Sequence, residues 1–132
     1  MIINKLKRIN LKATPQRIAI VKFLEGNTSH PSAEDIYNAI SKIYPSISFA
    51  TVYNTLKALH EKGEILELSI DPERKRYDPN VTPHNHFICL LCGKVVDIFN
   101  DVNVSLKLPG YEIKSKHVEF HGFCPKCKEK RK

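Results

Sequence analysis

All four cysteines of the 132-residue chain lie in its second half, in two Cys-x-x-Cys pairs separated by 31 residues. The first pair is Cys89 with Cys92, and the second is Cys124 with Cys127. Four thiolates at this spacing are the ligand set of a closed, tetrahedral structural zinc site. A redox-active pair of dithiols is the alternative interpretation. We favour zinc because no secretion signal or membrane-spanning run is visible, which predicts a cytoplasmic location where disulfides are disfavoured.

Histidines and aspartates form a second group of candidate ligands close to the first cysteine pair. His84 and His86 are two positions apart, so their imidazoles share one face of an extended segment. Asp78 and Asp97 lie near them in sequence, and His30 stands further upstream. Such nitrogen and oxygen ligands suit manganese, iron or zinc without selecting among them. On spacing alone, solvated polar residues in a linker remain the alternative interpretation.

Helical signals dominate the segment that precedes these ligands. A short amphipathic stretch covers residues 2–9, and longer helices are predicted over residues 14–26, 32–45 and 48–63. Thr14-Pro15 is typical of an N-cap followed by the first helical position, where the missing proline N–H costs nothing. The third of the longer helices carries Val52, Tyr53, Leu56 and Leu59, and Tyr53 lies close to its apolar stripe. Core packing is therefore one of two interpretations of Tyr53.

The hydrophobic period changes after the last of these helices. Residues 65–70 and 75–78 have the composition of strands around a turn. Three helices followed by a β-hairpin are the layout of a winged helix-turn-helix. We therefore predict a winged-helix DNA-binding domain over residues 1–80, ending in a polar, proline-containing hinge at about residues 79–85.

The remaining part, residues 81–132, is predicted to be a second and smaller domain. A short helix is expected over residues 101–108, before Pro109-Gly110. Strands are predicted over residues 86–90, 95–99 and 112–120. A segment of this length rarely buries enough apolar surface to be stable alone, so it needs a bound metal or a partner chain.

Charge points to nucleic acid as the leading class of partner. The chain has 21 Lys and Arg against 14 Asp and Glu, for a formal net charge of +7. The first 24 residues carry six bases and no acid, interleaved with apolar residues at helical spacing. This pattern predicts a basic helical surface for a nucleic acid. The basic run at residues 126–132 is interpreted as a solvated tail.

Six segments in order, from Leu11 to Cys127, resemble the ferric uptake regulator (Fur) family. They are LKATPQRIAIVKFL, HPSAEDIY, PSISFATVYNTLKAL, RYD, HNHFICLLCGKVVDI and CPKC. The resemblance implies an α+β homodimeric repressor, with a winged helix-turn-helix followed by a small α/β dimerisation domain that holds a four-cysteine zinc site. It also implies a regulatory Fe2+ or Mn2+ site formed by His30, Asp78, His84, His86 and Asp97.

Two details resemble the peroxide-sensing branch of that family. Aspartate stands at both position 78 and position 97, and the predicted recognition helix reads TVYN. That branch implies oxidation of a ligand histidine, His30 or His84, to 2-oxo-histidine when bound iron meets peroxide. The alternative within the family is an iron-responsive repressor of metal uptake genes.

The third long helix is predicted to enter the DNA major groove. Its candidate base contacts are Ser48, Thr51, Tyr53 and Asn54. Arg17 and Lys57 are predicted to contact phosphates. Lys12 matches a family position that reaches the adjacent minor groove, which implies an AT-rich operator. A twofold dimer implies an inverted repeat.

Other classes of protein fit the sequence less well. His117-x-Glu119 before the second cysteine pair resembles part of a zinc deaminase signature, but the spacing is wrong and four cysteines would close the zinc site. No catalytic residue is therefore predicted, and His117 is interpreted as structural or exposed. A zinc-stabilised protein-interaction module does not explain the basic, helical first half. The stretch between Phe99 and Tyr111 is short for the family's dimerisation helix.

Overall fold

The computed structural model describes residues 2–130. The chain divides into two compact units, Met1–Val81 and Thr82–Lys132. Helices and one strand pair form the first unit, while strands and one short helix form the second. The predicted α+β class is therefore confirmed.

The first unit has the element order of a winged helix-turn-helix. Its elements are α1 (Ile2–Arg8), α2 (Pro15–Leu24), α3 (Ala33–Ser41), α4 (Phe49–Glu61), β1 (Leu66–Leu68) and β2 (Arg76–Asp78). The strands β1 and β2 are antiparallel, with Leu66 opposite Asp78 and Leu68 opposite Arg76. They are shorter than predicted, so the wing is a three-residue ladder closed by a long turn.

Hydroxyl side chains fix where the three long helices begin. Thr14, Ser32 and Ser48 are the N-caps of α2, α3 and α4, and each accepts a hydrogen bond from the backbone N–H three residues later. The carboxylate of Asp35 returns a bond to the Ser32 N–H and completes a capping box. The prediction that α3 continues to Pro45 is wrong. It ends at Ser41, because turns replace the helix where proline disfavours the helical conformation of the preceding residue.

One hydrophobic core holds the first unit together. Its buried members are Leu6, Ile9, Ile20, Val21, Leu24, Ala33, Ile36, Ile40, Ile47, Val52, Leu56, Leu59, Ile65 and Tyr77. The alternative interpretation of Tyr53 as a core residue is wrong, since 47% of Tyr53 is exposed. Thr55 is buried on the apolar face of α4 instead, and its hydroxyl donates to the Thr51 carbonyl at 2.7 Å.

The second unit is a three-stranded sheet followed by a short helix. Its elements are β3 (Asn85–Cys89), β4 (Val95–Ile98), β5 (Glu119–Gly122) and α5 (Pro125–Lys130). The strand order is β4-β3-β5, with β3 antiparallel to β4 and parallel to β5. His86 lies opposite Asp97 on one side and Glu119 on the other, so these three residues share one face of the sheet.

Two predictions for this unit need correction. Residues 101–108 form no helix, and the strand predicted over residues 112–120 is regular only from Glu119. The apolar residues at 104, 106 and 108 follow a period of two, which does not build the stripe that a helix needs. The first five residues of the basic run at 126–132 belong to α5 and are exposed except for Cys127, as expected of a solvated segment; residues 131 and 132 lie outside the described part.

No helix within residues 2–130 is both long and apolar enough to cross a membrane.

Candidate metal centres and nucleic-acid surface

The four cysteine sulfurs of the second unit converge. Sγ atoms of Cys89, Cys92, Cys124 and Cys127 all lie within 4.8 Å of one another. The Sγ atoms of Cys92 and Cys124 are 3.9 Å apart, and a tetrahedral zinc site with Zn–S bonds of about 2.3 Å requires about 3.8 Å between sulfurs. The four sulfurs are therefore placed to bind a tetrahedral zinc ion.

Backbone elements place these sulfurs. Cys89 ends β3, and Gly93 at φ 78° makes the tight turn in which its N–H donates to the Cys89 carbonyl at 2.9 Å. A left-handed residue is needed at this turn, and glycine adopts it without strain. Cys127 is held on α5, where the Lys128 N–H donates to the Cys124 carbonyl at 2.8 Å.

Local hydrogen bonds bias the charge of the sulfurs in opposite directions. The backbone N–H groups of Cys92 and Cys124 donate to the Cys89 sulfur at 3.5 and 3.4 Å, and they lower the pKa of Cys89 to about 6. Hydrogen bonding to Cys124 raises the pKa of Cys127 to about 12. Four thiolates this close repel one another, so all four ionise together only around a cation.

His30 and Asp78 form a buried pair in the first unit. The His30 Nε2 lies 3.4 Å from the Asp78 Oδ2, and their side chains are 1% and 3% exposed. Strand β2 fixes the loop before α3, because the Tyr77 N–H donates to the Pro31 carbonyl at 2.9 Å and the Arg76 Nε donates to the His30 carbonyl. His30 has a left-handed backbone (φ 52°), a strained conformation that persists where surrounding contacts enforce it.

Three further candidate ligands meet in the second unit. A single oxygen of Asp97, Oδ1, lies 2.9 Å from the His84 Nε2 and 3.2 Å from the His86 Nε2. Both imidazoles are 0% exposed, and their ring centroids are 4.5 Å apart. The ring of Phe99 stacks on His84 at 5.1 Å. The antiparallel register of His86 with Asp97 places the carboxylate beside the histidines.

The partners of His84 account for the orientation of its ring. Its Nδ1 lies 2.7 Å from the Thr82 carbonyl, which only accepts hydrogen bonds, so Nδ1 carries the proton in the neutral ring. The Nε2 then offers a lone pair toward the ionised Asp97, which also only accepts. Two lone pairs facing each other at 2.9 Å require a proton or a cation between them. A metal ion between His84 and Asp97 meets this requirement.

His117 is a contact that sequence reasoning missed. Its Nε2 lies 2.9 Å from the Nδ1 of His86, on the side of the ring away from Asp97. The His117 side chain is 40% exposed, and its Nδ1 lies 3.8 Å from the Glu119 carboxylate. Burial, and then the neighbouring His86, lower the pKa of His117. This contact follows from the parallel pairing of β3 with β5, which joins residues more than 30 positions apart in the sequence. The spacing of sequence motifs does not reveal a pairing over that distance.

Helix α4 separates into a buried and an exposed face. The predicted base-contacting residues Tyr53 and Asn54 and the predicted phosphate contact Lys57 are exposed. Ser48 and Thr51 lie at the N-terminus of the helix, with their hydroxyl oxygens 2.9 Å apart. Tyr53 stacks on Phe49 with ring centroids 6.5 Å apart, which holds its ring on the outside of the helix.

A polar groove of about 320 Å3 lies beside the start of α4. It is lined by Thr14, Gln16, Arg17, Ser46, Ile47, Ser48 and Thr51. The guanidinium of Arg17 donates to the Lys12 carbonyl at 3.1 Å, which ties together two of the predicted DNA contacts. Lys12 itself is exposed and Arg17 is half-buried. The surface thus presents cations and hydroxyl groups at the two helix N-termini, where anions are favoured.

Comparison with known proteins identifies the family. A model of the ferric uptake regulator family matches residues 8–121. The peroxide-responsive repressor PerR of Staphylococcus epidermidis (strain ATCC 12228 / FDA PCI 1200) is 36% identical over 132 residues, covering 96% of this chain and 88% of that protein. A solved structure of PerR from Streptococcus pyogenes, which describes the structural basis for peroxide sensing and gene regulation by that protein, has a TM-score of 0.55 at 29% identity. The match covers 96% of this chain and 90% of that chain.

A ferric uptake regulator from another organism has a similar fold. The structure of Fur from Helicobacter pylori, with three functional metal-binding sites, has a TM-score of 0.75 at 24% identity. The match covers 95% of this chain and 87% of that chain. This likeness concerns the fold.

Proposed function

The chain belongs to the ferric uptake regulator family, and from that premise we propose that it is a peroxide-sensing repressor whose DNA binding depends on a metal ion. Members of this family are metal-responsive transcriptional regulators. The observation that carries the proposal is the Asp97 oxygen that faces two buried imidazole Nε2 atoms at 2.9 and 3.2 Å. Such a donor set is costly to bury unless a cation binds to it.

We assign one regulatory ion to five ligands. They are His30, Asp78, His84, His86 and Asp97. Two of these belong to the first unit and three to the second. An ion that binds all five links the units and favours one of their arrangements, which is a two-state switch for DNA binding. Nitrogen and oxygen ligands suit Fe2+ and Mn2+.

The ligand imidazoles are the proposed sensing residues. Bound Fe2+ supplies the chemistry that turns hydrogen peroxide into an oxidant of a nearby ring, whereas Mn2+ occupies the site without supplying it. His30 and His84 are the rings that we propose to be oxidised to 2-oxo-histidine. The added oxygen converts a ring into a lactam-like form with fewer free lone pairs, so it binds the ion more weakly. Loss of the ion then releases the operator.

The first unit supplies the proposed DNA contacts. Tyr53 and Asn54 project from the exposed face of α4 toward bases in the major groove, with Ser48 and Thr51 at the helix start. Arg17 and Lys57 contact phosphates, and Lys12 reaches the minor groove of an AT-rich site. A homodimer places two such units on an inverted repeat. The protein is cytoplasmic in this proposal, where it has access to the DNA.

The cluster of four cysteines has a different proposed task. It holds Zn2+ as a structural ion, because four thiolates close the tetrahedron and leave no position for a substrate. The proposed function is therefore regulatory, with no catalytic residue. Binding of zinc contributes directly to the folding of the second unit.

Oxidation of the iron-loaded protein tests the sensing proposal. Zinc-loaded protein with Fe2+ is treated with peroxide, and proteolytic peptides are weighed by mass spectrometry. We expect one added oxygen on the peptides of His30 or His84, and none on the peptide of the exposed His121. Protein loaded with Mn2+ is the matched control and should remain unmodified.

Two results would redirect the proposal. Unmodified His30 and His84 after treatment would remove the peroxide mechanism and leave the iron-responsive repressor as the candidate. An Asp97→Ala variant that still binds one regulatory Mn2+ per chain with unchanged affinity would remove the assigned site itself.

A further inference from the structure

Exposed apolar side chains are concentrated in the smaller unit. Of the 14 large hydrophobic residues that are exposed within the described part of the chain, ten lie in residues 82–130. Val96 and Phe120, each 40% exposed, lie on the sheet face opposite to His86. Exposed apolar side chains concentrated in one unit are typical of an interaction surface.

Five of these ten residues fall in a two-armed loop without regular structure. The first arm, residues 102–108, is named here the apolar arm. It turns at Pro109-Gly110, where the Tyr111 N–H donates to the Leu108 carbonyl at 3.2 Å and Gly110 has φ 82°. The second arm returns beside it, since the Lys116 Nζ donates to the Val102 carbonyl at 2.5 Å. In the described chain, no strand pairs with the apolar arm.

The sequence of the apolar arm, VNVSLKL, has a strict period of two. Val102, Val104, Leu106 and Leu108 occupy alternate positions, so an extended backbone puts all four on one face. Three of them, at positions 104, 106 and 108, are 45%, 51% and 45% exposed. An arm with this pattern can add to another strand as an edge strand, and Lys107 is the single charged residue that it carries against such pairing.

The arm is also complementary to itself. In an antiparallel pair centred on Ser105, Val102 faces Leu108 and Val104 faces Leu106 of the other copy. Its one charged residue, Lys107, then faces Asn103, so no like charges lie opposite one another. A twofold interface requires this property, because each residue meets its counterpart by symmetry. A partner of unrelated sequence would not require it.

We propose that the apolar arm of residues 102–108 pairs antiparallel with the same arm of a second copy, centred on Ser105, and forms part of the dimer interface. This inference rests on the homodimer in the proposed function and names the segment that makes it. It gives a role to a stretch that is short for the family's dimerisation helix.

Two substitutions of equal charge test the pairing. In Leu106→Asp, a charge is placed on the apolar face; in Asn103→Asp, the same charge is placed opposite Lys107. Both positions are exposed in the single chain, so neither change disturbs its fold, which circular dichroism verifies. The mass of the zinc-loaded full-length protein is measured by sedimentation equilibrium. We expect dimeric wild type, dimerisation weakened about a hundredfold or more by L106D, and no weakening by N103D.

A cysteine on the proposed symmetry axis tests the register independently. Ser105→Cys should give a disulfide-linked dimer when the zinc-loaded protein is mildly oxidised, because the two copies of residue 105 face each other. Asn103→Cys should not, because its partner is Lys107.

The outcomes separate this inference from the proposed function. Monomeric wild type would remove both the homodimer and the pairing. A dimer that is equally stable in wild type and L106D would keep the homodimer and overturn the pairing. Cross-linking through position 103 rather than 105 would also overturn the pairing. A dimer that is unaffected by L106D, but in which the arm becomes more sensitive to protease, would overturn it too, because the arm would then pack on its own chain.

Discussion

The two units of this chain are stabilised in different ways. All 14 residues of the buried hydrophobic cluster belong to the first unit. Among described residues of the second unit, the buried apolar positions are Ile88, Cys89, Val95 and Cys127, and two of these are thiols of the cysteine cluster. Burial of apolar surface therefore accounts for the fold of the first unit. We propose that the second unit depends on bonds to a metal and on a partner surface.

This difference matches the division of tasks that we propose. A unit with its own core keeps helix α4 rigid, as sequence-specific DNA contacts require. The second unit buries three polar side chains, those of His84, Asn85 and His86, and few apolar ones. Its histidines are thereby held in position to bind an ion, but the unit is less stable on its own. Five predictions test this difference between the two units, in order of decreasing expected effect.

Removal of the structural metal should break the second unit and spare the first. In Cys124→Ser, or after strong chelation, we expect the loss of roughly 10 kcal/mol of metal-coupled folding energy in the second unit. Amide NMR signals from residues 82–130 should collapse, while those of the first unit remain dispersed. Retention of both sets of signals would contradict the assignment of a structural site.

A cavity in the core should affect the first unit. Leu56 is completely buried on α4, so Leu56→Ala should lower the free energy of unfolding by about 2–5 kcal/mol in denaturant titrations. Tyr53→Ala on the exposed face of the same helix is the matched control and should cost much less. Equal losses in the two variants would mean that the α4 faces are wrongly assigned.

Loss of the apolar side chain on the arm should separate the copies without unfolding either unit. Leu106→Asp is expected to weaken dimerisation while the melting of the first unit is unchanged. Simultaneous loss of both would show that the core of the first unit depends on the dimer, which the difference between the units does not predict.

The contact between His117 and His86 should tune the regulatory ion. His117→Phe keeps the size of the ring but removes the nitrogen at 2.9 Å from the His86 Nδ1. We expect about tenfold weaker Mn2+ binding, measured by titration calorimetry, because the partner that orients a ligand histidine is lost. His121→Phe, at another exposed histidine of β5, is the control. Zinc content should be equal in both, and equal Mn2+ affinity would remove the orienting role.

The smallest effect is expected from the surface pair of Arg8 and Glu64. The bidentate contact at 2.9 Å, with Arg8 as the main cause, lowers the pKa of the Glu64 carboxyl. The contribution of this ion pair to the stability of the fold is therefore fully present above the pKa of a glutamate in the unfolded chain, about 4.3. It is lost as the pH falls through the lower pKa that Glu64 has in the folded protein. Arg8→Met should lower the melting temperature slightly at pH 7 and not at pH 3. A larger difference at low pH would contradict the sign of the shift.

Local signals in the sequence predicted the elements whose causes are local. The N-caps Thr14, Ser32 and Ser48 mark the helix starts because a hydroxyl bonds to an amide three residues away. The cysteine pairs predicted a tetrahedral cluster because the two cysteines of each Cys-x-x-Cys pair lie within one turn of the backbone and can bind the same ion. The assignment of five residues to one regulatory ion came from the family resemblance, and it stays a prediction.

Other features depend on contacts that no local pattern contains. Tyr53 lies close to the apolar stripe of α4, which left core packing open as an alternative, but its side chain is exposed and stacks on Phe49. The parallel strand β5 brings the contact of His117 with His86 from 31 positions away. The arm around Leu106 has the alternation of a strand, but within the described chain it has no strand to pair with. In the proposed account its partner lies in another molecule.

Operator binding with and without the regulatory ion tests the central claim most directly. Duplexes are first selected from a randomised pool with zinc-loaded protein and Mn2+, and affinity for the selected duplex is then measured by fluorescence anisotropy at constant salt. We expect an AT-rich inverted repeat that is bound at least about tenfold more tightly with Mn2+ than without it, and no such gain for Asp97→Ala. Equal affinity with and without Mn2+ in the wild type would contradict the proposal that this protein is a metal-dependent repressor.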